Sequence, residues 1–298
     1  METYLLQRSA ASRFMPGTYV FPGGRLEDED RDTDFWINHV DLSKKGLLEA
    51  FDSSPETILP FAVGAIRETW EEAGVLLAEI RARGNSPATA PATEDFNSPS
   101  FMTKPSLYAN QINNRPAGGL SFKRLARDKN LILSTSKMVY WSRWITPQSM
   151  PKRFDTCFFM APVKPDQECS PDNRETVDGI WISPRKALTK NSDGLLPLSP
   201  PAVMTLHQML SFADLSEMIA DTRRRSRPVS TMPRLWPLGK GALLIQPWDP
   251  DYERDTVRVD ENRLQKDVLP VGAPFSRLWF NGGVFRPVRH PEELVDSS

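Results

Sequence analysis

Glu68, Glu71 and Glu72 are crowded into the stretch Ala65-Ile66-Arg67-Glu68-Thr69-Trp70-Glu71-Glu72-Ala73-Gly74-Val75. On a helix, residues three and four apart are neighbours, so the carboxylates share one face with Arg67 beside them. Like charges one turn apart repel by roughly a few tenths of a kcal/mol per pair. A solvated acidic face is one use of such a cluster; a divalent cation, which takes several oxygen ligands, is the other. Arg67, Gly74 and the Pro22-Gly23-Gly24 turn upstream favour the cation.

Stepping outward, Ala62, Ile66, Trp70, Ala73 and Leu77 recur at helical spacing and give the acidic segment an apolar side to bury. The helix is expected to begin near Leu59, because Pro60 is tolerated in a first turn, and to run to about Ile80, with Gly74 stopping or bending it. Ser53-Ser54-Pro55-Glu56 carries a further start signal. Tyr4-Leu5-Leu6 reads as a strand placed directly after Met1, which leaves an upstream start open. Thr18-Tyr19-Val20-Phe21 reads as a short β segment leading into the glycine turn, residues 26–34 as an acidic loop and 34–51 as one or two short helices. Residues 84–119 shift to Ser, Pro, Ala, Thr and Asn and are expected to form a flexible connection. A short helix is expected at 121–126, strands at 137–145, 153–163 and 177–183, a capped helix from Ser183-Pro184, and one amphipathic helix over 200–220. The basic run at 223–227 reads as a solvated loop. The Trp- and Pro-rich tail 232–288, with strands at 242–245 and 277–280, is expected to pack on the body.

Composition bounds the function. With 39% apolar and 25% charged residues the chain fits a soluble globular protein, and its net charge of −1 gives no case for sequence-independent nucleic-acid binding. Cys157 and Cys169 make no disulfide framework, and His39, His207 and His290 are too scattered for a zinc site or a catalytic base. No signal peptide, membrane-spanning run or C-terminal peroxisomal tripeptide is present, so a cytoplasmic protein is expected.

Taken together these residues resemble the Nudix hydrolase family, whose box ends Arg-Glu-apolar-x-Glu-Glu-x-Gly-apolar. Arg67 to Val75 matches that half, with Thr69 in the apolar slot. Gly23-Gly24 matches the start of the other half; the first family Glu then falls on Asp30, and roughly 28 extra residues (about 31–58) intervene. The interrupted layout is similar to the coenzyme A diphosphatase branch. So are Phe14-Met15-Pro16-Gly17, Arg143-Trp144-Ile145-Thr146-Pro147, Arg153-Phe154-Asp155-Thr156 with Phe158-Phe159, and Glu175 ahead of Trp181-Ile182-Ser183-Pro184.

The resemblance implies an α/β/α sandwich around a mixed β-sheet, covering residues 1–215, with 216–298 as an extension on the same body. It implies hydrolysis of a diphosphate in coenzyme A or acyl-CoA, giving adenosine 3′,5′-bisphosphate and (acyl-)phosphopantetheine. Glu68, Glu72, Glu71 and the Gly23 carbonyl would hold Mg²⁺ or Mn²⁺, and Arg67 would position the carboxylates. Glu71 and Glu175 are the candidates for the base, with the choice open. Lys123, Arg143 and Arg153 are the candidates for binding substrate phosphates, and Asp30 either joins the site or only stabilises its loop. A pyrophosphatase for NADH or ADP-ribose and a catalytically silent binding module are the alternatives. The expected partner is a small nucleotide-type molecule, with no nucleic acid or membrane, and a homodimer stays open.

Overall fold

Tyr4, Leu5 and Leu6 are all buried in β1 (Thr3–Arg8), which pairs antiparallel with β2 (Tyr19–Val20) on one side and β7 (Thr176–Ile182) on the other. The computed structural model that shows this describes residues 1–12, 14–81, 121–165, 167–225 and 228–291; the expected flexible connection at 84–119 lies outside the described residues. The β1–β7 register sets Arg8 against Thr176, and the Ser9 N–H donates to the Glu175 carbonyl at 2.9 Å. One sheet therefore brings the loop after β2, with its glycines, and the loop before β7 to the same place.

α1 (Thr33–Trp36) and α2 (Lys44–Phe51) form within the interrupting segment, each with a side-chain cap from Asp32 and Ser43 respectively. α3 (Pro55–Ala73) follows and carries the acidic cluster. It starts at Pro55, earlier than expected, so Pro60 lies inside it, in the second turn. Proline at the first position needs no N–H, and Pro60 loses one bond in a turn that is otherwise well buried by Ile58, Leu59, Ala62 and Val63. The far end also differs from expectation. Gly74 adopts φ 73°, its N–H closes on the Trp70 carbonyl, and the helix stops there. Residues expected to be helical become β3 (Ala78–Ile80), paired antiparallel with β4 (Leu131–Leu133).

The interrupting segment is not a loose loop. Trp36, Leu47 and Phe51 join Ile58, Leu59, Val63, Ile66 and Trp70 in one apolar cluster. Phe122, from α4 (Phe122–Lys129), stacks on Trp36 with ring centres 5.6 Å apart and tilts against Trp70 at 5.7 Å. The Trp36 indole N–H donates to the Glu29 carbonyl at 2.8 Å. Asp41 accepts from the Thr135 hydroxyl at 2.7 Å and the Ser136 N–H at 2.9 Å, closing the segment onto the body.

β5 (Val139–Ile145) pairs antiparallel with β6 (Asp155–Met160) and parallel with β8 (Ser230–Thr231), making that sheet mixed. Between them lie α5 (Pro184–Ser192), α6 (Pro200–Met209) and α7 (Leu215–Arg224). The single helix expected at 200–220 is thus two. Ser211 to Asp214 interrupts it, because the Asp214 carboxylate caps α7 by accepting from the Glu217 N–H at 2.9 Å. Beyond β8, β9 (Arg234–Pro237), β10 (Ala242–Ile245), β11 (Arg277–Asn281) and β12 (Val284–Val288) form an antiparallel sheet. Leu244, Phe275 and Leu278 share a core cluster with Leu5, Trp144 and Ile182. Trp36→Ala is expected to cost about 3–5 kcal/mol, a large aromatic removed from a closed core, measured by urea denaturation.

Candidate metal and active site

Arg67 is the buried hub of the acidic cluster, with 2% of its surface exposed. Its Nε and Nη2 donate to Asp30 at 3.0 and 2.8 Å, its Nη1 to Glu68 and to Glu71 at 3.0 Å each, and its Nη2 to the Arg25 carbonyl at 2.7 Å. Burial works against its charge, but the bonds to Asp30 and the neighbouring carboxylates outweigh that and hold its pKa above the ordinary value. Asp30 is 1% exposed and also accepts the Glu27 N–H at 2.8 Å, capping a 3-10 turn over Asp28–Arg31. The residue at the position of the box's first Glu therefore serves the loop and Arg67. Gly64 leaves room for it: a Cβ there would lie 2.7 Å from Leu26 Cδ2 and 3.3 Å from Asp30 Oδ2.

The glycine turn closes on the same helix face. The Gly23 N–H donates to Glu72 Oε2 at 2.8 Å, and a Cβ on Gly24 would fall 2.3 Å from Glu68 Oε1. Only a residue without a side chain admits the Glu68 carboxylate there.

These carboxylates carry more negative charge than their surroundings neutralise. Burial pushes Glu72 up to about 8; the Gly23 N–H opposes this, while Glu68, Glu175 and Asp172 add to it. Burial likewise pushes Glu68 up to about 7, with Arg67 opposing and Glu71 and Glu175 adding. Two buried oxygen donors that resist ionisation, beside a turn cleared of side chains, fit a divalent cation, which would bind their charged forms. Asp249, Asp251 and His290 also place their ligand atoms within 4.8 Å of one another. That group lies in the C-terminal sheet region and is already neutralised. Arg277 donates to Asp249 at 2.7 Å and to Asp251 at 2.7 Å, and Arg258 adds a bond to Asp251 at 2.9 Å, so it reads as an ion-pair core.

Glu68, Glu71, Gly23, Gly24 and Glu175 line one cleft. Glu175 is placed by Asp172, whose carboxylate accepts the N–H groups of Arg174, Glu175 and Thr176 at 2.9–3.2 Å and the Thr176 hydroxyl at 2.8 Å. Sequence reasoning missed Asp172; the Asp-x-x-Glu-Thr spacing, in which an Asp folds the following turn onto itself, was the available signal. Of the expected phosphate-binding cations, Arg153 lines the cleft, though its Nε also donates to the Thr146 carbonyl at 3.1 Å. Arg143 is engaged by Asp155 at 2.7 Å, across the β5–β6 pair. Lys123 is bound to the Asp32 carboxylate and lies over Phe35, 5.1 Å from its ring centre, on the interrupting segment.

A family profile for the NUDT19 Nudix domain matches residues 1–209. The chain belongs to the Nudix hydrolase family, in its NUDT19 branch. It is 31% identical to the acyl-coenzyme A diphosphatase NUDT19 of Homo sapiens over 72% of this chain and 62% of the relative. With the Xenopus laevis protein of the same name it shares 28% over 93% of this chain and 80% of the relative. The putative nudix hydrolase 7 of Caenorhabditis elegans is 25% identical, over 90% and 74%. This Nudix chain thus spans 62% of the human relative's length. The crystal structure of a NUDIX hydrolase from Alicyclobacillus acidocaldarius superposes with a TM-score of 0.52 at 22% identity, over 74% of this chain and 87% of that one, which shows the shared α/β fold.

The raised carboxyls set a pH signature. Folded Glu68 and Glu72 keep protons that the unfolded chain, with carboxyls near 4.5, has released, so metal-free stability falls as pH rises from about 4.5 through 8. A cation must displace those protons, so stabilisation by Mn²⁺ is expected to grow over the same window. Melting curves in EDTA and in Mn²⁺ between pH 5 and 8.5 check both slopes; a Mn²⁺ effect independent of pH would count against these ligands. Gly24→Ala, which drives a methyl into Glu68, is expected to weaken Mn²⁺ affinity by about 10- to 100-fold, read by the same titration.

Proposed function

We propose that this protein is a metal-dependent diphosphatase acting on coenzyme A or acyl-CoA. The observation that carries the reading is the closure of both box halves on one helix face, through Arg67 to Asp30 and through Gly23 to Glu72. The names of the human and frog relatives support the substrate class. In this reading residues 1–215 are the catalytic part and 216–298 the extension, a boundary that falls at the first residue of α7.

Glu68, Glu72, Glu71 and the Gly23 carbonyl would hold Mg²⁺ or Mn²⁺, which when bound neutralises diphosphate oxygens and makes water more acidic. Arg67 fixes the rotamers of Glu68 and Glu71 through one end of its guanidinium, Nη1, while the rest of the group is held by Asp30 and the Arg25 carbonyl. Gly24 leaves the space that the Glu68 carboxylate occupies beside the turn. Glu71 or Glu175 accepts the proton of the attacking water at a carboxylate oxygen. The water oxygen bonds to one phosphorus, the bridging P–O bond breaks, and the leaving phosphate takes the electron pair. Adenosine 3′,5′-bisphosphate and (acyl-)phosphopantetheine are the products.

Purified protein with Mg²⁺ or Mn²⁺ is expected to convert CoA and acyl-CoA to these products, identified by mass spectrometry, in preference to NADH and ADP-ribose. Glu72→Gln is expected to remain folded and lose at least about a hundredfold in kcat, since even outer-shell metal partners are worth about 10- to 100-fold. Preference for NADH or ADP-ribose would move the substrate to another nucleotide. No turnover of any of them, with no stabilisation by Mn²⁺, would make the chain a silent binding module. The cytoplasm is the compartment in the same reading, checked by imaging a tagged protein.

A further inference from the structure

Phe154 sits at the start of the turn into β6, locked by reciprocal bonds with Thr146: the Thr146 N–H donates to the Phe154 carbonyl at 2.9 Å, and the Phe154 N–H to the Thr146 hydroxyl at 3.0 Å. Phe14 packs edge-on against it, with ring centres 5.4 Å apart and planes at 62°. Phe14 is itself held, its carbonyl accepting from Arg8 Nε at 3.0 Å, and the next residue, Met15, takes φ 49°, a conformation side chains rarely adopt. A strained, multiply bonded loop fixes these two rings in place.

Two cations converge on that ring pair. The Arg25 guanidinium lies 5.7 Å and the Lys152 ammonium 5.3 Å from the centre of the Phe154 ring. Both residues are exposed, and neither has an ion pair among the described residues. The nearby carboxylate of Asp155 is engaged by Arg143. The negative faces of the Phe154 ring attract both cations, and among the described residues no carboxylate pairs with either.

Their position matters. Arg25 follows Gly24 directly, so its Cα is about 3.8 Å from the Cα whose missing side chain admits Glu68. Arg25, Lys152, Phe14 and Phe154 line the same cleft as Glu68, Glu71 and Glu175. A ligand seated with its diphosphate on the carboxylate face would meet this cationic pair with a neighbouring group. The pair suits a compact dianion, which ammonium and guanidinium recognise through charge-assisted hydrogen bonds.

The geometry points to Arg25 and Lys152, set on the Phe154 ring, as the anchor for a phosphate monoester borne by the substrate beside its diphosphate. This deepens the diphosphatase reading and rests on it for the substrate class. Coenzyme A carries such a monoester on its ribose 3′ oxygen; NADH and ADP-ribose carry none. The anchor therefore supplies a physical basis for choosing among nucleotide diphosphates that all share the scissile linkage.

The test separates this anchor from turnover by measuring binding, through calorimetry, of adenosine 3′,5′-bisphosphate and of adenosine 5′-monophosphate to the whole protein in EDTA. The wild type is expected to prefer the bisphosphate by about tenfold, the scale of one charge-assisted contact. Lys152→Ala and Arg25→Gln are expected to collapse that ratio towards one. The ratio is internal to each variant, so partial misfolding, which lowers both affinities together, does not imitate the result. Equal binding of the two nucleotides by the wild type, or a preference intact in both variants, overturns the anchor. A Lys152-dependent preference in a protein that leaves CoA uncleaved upholds the anchor and overturns the diphosphatase reading.

Discussion

A buried guanidinium has to be satisfied on every side, and Arg67 imposes that requirement on the molecule. An unpaired charge at its depth would cost several kcal/mol or more, so its donors dictate where their acceptors stand. One edge reaches Asp30 on the loop, another the Arg25 carbonyl beyond the glycine turn, and the remaining end clamps Glu68 and Glu71 on its own helix. A loop, a turn and a helix from separate parts of the chain thus meet at one side chain. The clamp also explains how a helix face tolerates crowded carboxylates, since Arg67 screens their mutual repulsion without neutralising all of them.

The molecule solves the problem of clustered acids twice, with opposite outcomes. Around Arg277, burial alone would raise Asp249 and Asp251, but Arg277 bonds both and Arg258 bonds Asp251, which holds them below the usual carboxylate range. Around Arg67 burial, with the neighbouring carboxylates, outweighs what opposes it, and Glu68 and Glu72 lie above that range. The first arrangement is complete without a further ion. The second leaves two buried carboxyls that resist ionisation, an arrangement that fits a cation.

What was legible in the sequence was local. Glu68, Glu71 and Glu72 announce a common face because helical neighbours are fixed by periodicity, and Gly23-Gly24 announces a turn because only glycine has that freedom. The helix ends were misjudged where two local signals competed: Pro60 against Ser54-Pro55 at the start, and the apolar run Val75 to Ala78 against Gly74 at the end. Asp214 inside an apparently continuous apolar pattern was read as part of a helix when it begins the next one. Asp30 and Arg25 have roles set by partners distant in sequence or by a backbone carbonyl, and no spacing rule carries such information. The short β4 strand exists only because β3 and the segment around Val40 offer edges to it.

Pairing of β8 with β5 has a consequence for how the protein is made. A ribosome releases Gly23, Glu68, Glu71 and Glu175 before it releases Leu244, Phe275 and Leu278, which share a core with Leu5, Trp144 and Ile182. The part of the chain that carries the acidic cluster therefore leaves the exit tunnel with an uncovered apolar flank, the kind of surface that draws chaperones and invites aggregation while it waits. Synthesis of the final sheet is the event that seals it, so the pace of translation through the C-terminal segment governs how long that flank stays exposed.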